Sequence, residues 1–185
     1  MNRLIKKFTF VFSFICFFGV AVADQDDKRL DSLFNRLQSD VDMATISQVE
    51  AKIWDIWIDS GREDINALMA EGVQDMQMRD FDAALDIFNQ VIEMAPEFAE
   101  AWNKRATVYY LRNQLSESVE DIQRTLALEP RHFGALSGMG LIFMQMGDDA
   151  GALKAYEEVI KIHPHSPSAR YHIDALKAKL RNQII

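Results

Sequence analysis

Four histidines, His132, His163, His165 and His172, and several neighbouring carboxylates are the side chains of this chain best suited to hold a metal or move a proton. Imidazole is a common zinc ligand, so His163, His165 and His172 are the first place to look for an ion. Their spacing fits no familiar zinc pattern, and three of the four histidines fall in or beside turns, where solvated polar side chains are expected. The carboxylates offer acid–base chemistry as Glu157 with Glu158, Asp148 with Asp149, and Glu117 with Glu120 and Asp121. Such chemistry needs a carboxyl whose pKa is displaced by burial, and these positions read instead as solvated helix faces and turns. The one cysteine, Cys16, sits in an apolar N-terminal run, and the chain has neither a Gly-rich phosphate loop nor a His-Glu-x-x-His helix. No catalytic residue and no metal ligand is assigned, no cofactor is implied, and the chain is not expected to be an enzyme.

The elements that carry these residues are repeated. Pro96, Pro130 and Pro164 lie 34 residues apart, and the residues ahead of each recur at the same offsets. Small residues form three pairs, Gly72 with Ala84, Ala106 with Ser118, and Gly140 with Ala152, which would let two helix backbones approach closely. Large apolar residues recur near the start of each unit (Leu68, Trp102, Leu136) and in its second half (Phe88, Ile122, Tyr156). The polar turns Arg79-Asp80, Asn113-Gln114 and Gly147-Asp148 are short enough to force antiparallel helices, and each proline stops a second helix.

This pattern resembles the tetratricopeptide repeat, a pair of antiparallel helices that stacks into a right-handed superhelix. The resemblance runs over residues 65–98, 99–132 and 133–166 and implies an all-α solenoid of three helical hairpins. The third unit is closest, through Leu136, Gly140, Phe143, Ala152, Tyr156 and Pro164. The second matches through Trp102, Ala106, Tyr109 and Pro130, with Ser118 in place of the usual alanine. The first departs furthest, because Glu71 and Asp75 occupy positions that are usually large and apolar. Val91, Thr125 and Val159 also replace an alanine near the end of each second helix.

Residues 24–64 carry two further amphipathic stripes, Leu30, Leu33, Phe34 and Leu37, then Ile46, Val49, Ile53, Trp54, Trp57 and Ile58. They read as a helical hairpin that could be a degenerate fourth unit covering the open face of the first. Ser47 or Thr45 is the expected cap of its second helix, Gly61 the expected end, and the spacing of Trp54 and Trp57 favours core packing over an exposed anchor. Residues 167–185, opened by Ser166 and Pro167, read as a capping helix with an apolar stripe at Ala169, Ile173, Leu176 and Leu180.

Residues 1–23 have the layout of a signal peptide: Arg3, Lys6 and Lys7, an apolar run from Phe8 to Val22, and Ala21-Val22-Ala23 before an acidic stretch. The run is short for a membrane span, so cleavage with no stable anchor is expected, and with it a periplasmic or secreted protein. Cleavage removes three of the 20 basic residues and none of the 28 acidic ones, leaving a charge of −11 that disfavours nucleic acid and anionic lipid surfaces.

The resemblance places the first helix of each unit along a concave groove. One face of those helices carries Met69, Val73 and Met76, then Asn103, Thr107 and Tyr110, then Ser137, Leu141 and Met144, with Asn66 and Glu100 near its edge. Such a surface is apolar, methionine-rich and adaptable, and suits an apolar or amphipathic peptide of another protein. One branch of the family binds C-terminal carboxylates through a Lys, Arg and Asn cluster; here Asn103 and Lys104 could contribute, but Met69, Val73, Ser137 and Leu141 stand where further polar groups would be needed. The expected role is an exported adaptor or scaffold. The alternative is a chaperone-like subunit of a cell-envelope or cofactor-maturation assembly. The same face could instead be covered by the chain's own terminal helices or by a second copy of the protein.

Overall fold

The computed structural model describes residues 27–39 and 42–182, and the expected signal peptide lies outside them. Nine helices run through the described residues: α1 (Lys28–Leu37), α2 (Met43–Trp57), α3 (Glu63–Met78), α4 (Phe81–Met94), α5 (Ala99–Leu111), α6 (Leu115–Leu128), α7 (Phe133–Met146), α8 (Asp149–Ile162) and α9 (Pro167–Asn182). From α3 onward each packs on its neighbour in sequence, and α5 also touches α3 and α7, so the first helices of the three units lie side by side. This is the all-α solenoid expected from the sequence. Among the described residues no helix is long and apolar enough to cross a membrane.

The hairpin turns are tight because one residue in each adopts a left-handed conformation: Arg79 at φ 62°, Asn113 at φ 60° and Gly147 at φ 79°. Glycine and asparagine tolerate that conformation readily, whereas at Arg79 the Cβ is held at some steric cost. Asp80 and Asp148 follow as N-caps and accept the amides of Ala83 and Gly151. At the other end of each unit, Ala95, Glu129 and His163 leave the helical region, with φ of −146°, −131° and −126°. Each precedes a proline whose ring disfavours the helical region for the residue before it.

Within the units, the rings of Phe88 and Tyr156 lie directly against Gly72 and Gly140. In the second unit the buried Ser118 hydroxyl donates to the Ala106 carbonyl at 2.7 Å, which explains how a hydroxyl is accepted where the related pattern has alanine. That carbonyl retains its place in the helix, so Ser118→Ala should shift stability by less than about 1.5 kcal/mol in urea denaturation.

The N-terminal hairpin forms, but it is not stacked as a fourth unit. Leu30, Phe34, Ile53 and Trp57 share a core with Phe133, Tyr156 and Val159 of the third unit, whereas Ile65, Phe88 and Phe98 build a separate core around the first. The expectation that the hairpin covers the open face of the first unit is therefore corrected. Its apolar stripe meets apolar side chains beside the turns at 129–134 and 161–165, Phe133 and Ile162 among them. Supporting contacts join Asp31 to Arg131 at 2.7 Å, the Gln38 amide to the Lys161 carbonyl, and His165 to the Ser39 carbonyl at 3.0 Å. The cap of α2 also differs: Asp42 accepts the Thr45 amide at 3.0 Å, five residues ahead of Ser47, and Ile58 rather than Gly61 closes the helix. At the C-terminus, Ser166 accepts the Ala169 amide ahead of Pro167, as expected for α9.

Candidate protein-binding groove

α3, α5 and α7 present their shared face as a groove, and α2 runs along one side of it. The open stretch between α5 and α7 is a cleft of ≈ 330 Å³, lined by five of the nine groove residues: Asn103, Thr107, Tyr110, Ser137 and Leu141. Leu111, Ile122 and Ile142 add to its apolar walls. Thr107 and Leu141 are exposed, and the Thr107 hydroxyl is turned back onto the Asn103 carbonyl. What the cleft offers a guest is therefore chiefly apolar surface with a few amide and hydroxyl groups, a composition typical of peptide and ligand sites.

A second chamber of ≈ 530 Å³ lies between the end of α2, α3 and α5, and contains Met69 and Val73 together with Asp55, Ile58, Asp59 and Lys104. Met69 is buried, Val73 and Met76 pack partly into the core of the first unit, and Met144 packs against the core of the third. The nine residues thus divide between an open cleft, a chamber roofed by α2, and positions already engaged in packing.

Between the two chambers stands a buried polar network. Glu100 and His132 are both fully buried, and the His132 Nε2 lies 3.0 Å from a Glu100 carboxylate oxygen. The His132 Nδ1 accepts the Ala135 amide at 3.1 Å, so the ring is the tautomer that donates from Nε2, and it caps α7 at the same time. Lys104 and Asn103 also engage Glu100, at 2.8 and 2.9 Å. Burial pushes the Glu100 carboxyl up, but the His132 hydrogen bond and the Lys104 charge outweigh it and hold the group below its ordinary value. Trp57 stacks on the imidazole at 4.2 Å and 9°, with Trp54 edge-on to both. Core packing is thus the role of Trp57, and the ring of Trp54 touches the N-terminal end of α7 at Gly134.

Two expectations about solvated residues are corrected here. His132 and His163 are buried; the second faces Phe133 and lies 3.6 Å from Glu50. His165 reaches Ser39, and His172 stacks on Tyr156 at 4.6 Å, so the three C-terminal histidines face different neighbours. Among the carboxylates, Asp121 is buried in a two-pronged pair with Arg105, which also donates to Asn89 and so ties α4, α5 and α6 together. Asp149 is likewise buried, with Lys179 of α9 at 2.7 Å. Sequence alone missed these because a carboxylate on a helix carries no local mark of the partner that arrives from another helix. Glu100 lies at the centre of the buried network rather than at the groove's edge.

Comparison with known proteins now adds to this geometry. Residues 69–124 and 135–166 match the tetratricopeptide repeat family. The chain is 38% identical over 153 residues to a TPR repeat-containing protein of Rhizobium etli, covering 83% of this chain and 75% of that one. It is 29% identical over 113 residues to an Aspergillus fumigatus protein named as a heat-shock protein cognate co-chaperone, spanning only 32% of that protein. Among solved structures, the Sgt2 TPR domain from Aspergillus fumigatus superposes with a TM-score of 0.62 at 25% identity, covering 66% of this chain and 82% of that one. The first TPR of Spaghetti (RPAP3) bound to the HSP90 peptide SRMEEVD superposes at 0.60 with 20% identity, covering 63% and 93%.

Proposed function

Because this chain belongs to the tetratricopeptide repeat family, we propose that it is an exported adaptor that holds an apolar or amphipathic segment of another protein in its groove. The observation that carries this reading is the apolar cleft of ≈ 330 Å³ between α5 and α7, open at Thr107 and Leu141. Solved relatives of the same fold hold peptides of other proteins, which supports a polypeptide as the guest. Export rests on the N-terminal pattern of basic, apolar and small residues, and a periplasmic or secreted location follows from it. The similarity to a named co-chaperone favours a second reading, in which the guest is a client handed on during assembly in the cell envelope.

The test uses the processed protein, crosslinked in its native extract. Replacing both Thr107 and Leu141 with glutamate places charge on the cleft without touching the cores, and should abolish the crosslinked species while circular dichroism stays unchanged. These positions are preferable to Met76 and Met144, whose half-buried side chains would confound capture with stability. Undiminished capture by the double variant would remove the cleft from the interaction.

A further inference from the structure

The chamber beside α2 has a chemistry that the α5–α7 cleft lacks, and its meaning rests on the binding reading above. Its lining is apolar at Ile58, Met69, Ala70 and Val73, and carries three carboxylates, the exposed Asp55 and Asp59 and the buried Glu100, against the single ammonium of Lys104. Lys104 is drawn onto Glu100 at 2.8 Å. The two carboxylates of the chamber that Lys104 does not engage are Asp55 and Asp59, which lie one turn apart at the end of α2 and are both exposed. Asp59 is fixed in place, accepting the Asn66 side-chain amide at 2.7 Å and the Gly61 amide at 2.9 Å, and these hydrogen bonds hold its carboxyl below the usual range. Arg29 and Lys52 stand in an adjoining cleft that shares Asp55 and Asp59; Arg29 is bound by Asp27 at 2.5 Å, and its charge also helps to hold the Asp59 carboxyl down.

We propose that this chamber receives a lysine or arginine side chain, carried beside an apolar residue on the bound segment of the partner protein. The aliphatic stem lies on Ile58, Met69 and Val73, and the cationic head meets Asp55 and Asp59. A volume of ≈ 530 Å³ accommodates one long side chain with its hydration. The chamber adjoins the apolar cleft across α5, where the Asn103 amide bonds Glu100, so one extended segment can fill both. An acidic tail would bring like charge to the same carboxylates, which disfavours it. The strongly acidic balance of the whole chain favours the same class of guest at longer range.

The experiment uses two fluorescently labelled amphipathic peptides with identical leucines, one bearing lysines and the other serines at the remaining positions, titrated by anisotropy at physiological salt. Asp55→Asn with Asp59→Asn should weaken the lysine peptide about tenfold and the serine peptide less than about twofold. Asp55→Asn alone, which leaves the Asp59 hydrogen bonds intact, should show about a threefold version of the same selective loss. Asp86→Asn with Glu93→Gln, on exposed positions of α4, should leave both peptides unchanged. Equal weakening by that control would mean diffuse attraction to an acidic protein and would overturn the assignment, as would a lysine peptide indifferent to Asp55 and Asp59. Should wild-type protein bind the serine peptide with no gain from lysine, this proposal alone falls. Should it bind neither, the groove reading falls with it.

Discussion

Gly140→Leu is expected to cost at least about 3 kcal/mol and to unfold the third helical pair at temperatures where the wild type is intact. A Cβ at this position would come within 2.6 Å of the Tyr156 ring, closer than any real contact allows. Tyr156 cannot yield easily, because it is 1% exposed and lies in the core shared by α1, α2, α8 and α9. The sign of the smaller change is diagnostic. Gly→Ala inside a helix ordinarily stabilises by up to about 1 kcal/mol through propensity alone, yet Gly140→Ala should destabilise because the methyl group meets the ring. Gly147→Ala is the contrasting case, with nothing within 4 Å of the added carbon and only the strain of a left-handed φ of 79° to overcome. That strain costs about 1–2 kcal/mol. Urea denaturation of the three variants checks the order, and a Gly140→Ala protein as stable as the wild type would refute the packing described.

The reach of the sequence can be judged from these same residues. Gly140 and Tyr156 repeat at offsets shared with Gly72 and Phe88, so their place as the small and the large residue of each pair was legible from periodicity, although periodicity set Gly140 against Ala152 and the ring of Tyr156 is what meets it. So were the helix ends at Pro96, Pro130 and Pro164, because backbone restriction by proline acts locally. The site was legible only in part. Helical spacing put Asn103, Thr107, Tyr110, Ser137 and Leu141 on one face, and they do line one cleft. It could not show that Met76 and Met144 would turn into packing, since on a helix a methionine facing a groove and one reaching a neighbouring core have the same periodicity. Nor could it foresee the docking of α2. The match between Trp57 and His132 joins residues far apart in sequence, outside the repeat register, and no local pattern encodes it.

That joint carries the second large expectation. His132→Ala should destabilise the protein by about 3 kcal/mol, because it strips a hydrogen bond from the buried Glu100 carboxylate, leaves the Ala135 amide uncapped and opens a cavity against Trp57. The imidazole serves three neighbours at once: it donates to Glu100 at 3.0 Å, accepts the Ala135 amide at 3.1 Å, and stacks on Trp57 at 4.2 Å. His132→Asn separates these roles, since asparagine is a good N-cap and should restore about 1 kcal/mol of the loss by bonding the Ala135 amide, while the stack stays broken. The Glu100 side of the pair sets a pH dependence. Its folded-state pKa lies below the unfolded value of 4.5, so its contribution is complete above that pH and drains away as pH falls through the lower folded value. Wild-type stability followed by urea from about pH 6 to about pH 3 should therefore fall more steeply than that of Glu100→Gln, which has no carboxyl to protonate at that site. Trp57 fluorescence reports the same event from the other face of the ring, and should change with the loss of stacking in His132→Ala but far less in Glu100→Gln. If both variants lose the stacked signal equally, the carboxylate positions the imidazole against α2 as well as satisfying it, and the hairpin is held by the whole network rather than by the aromatic contact.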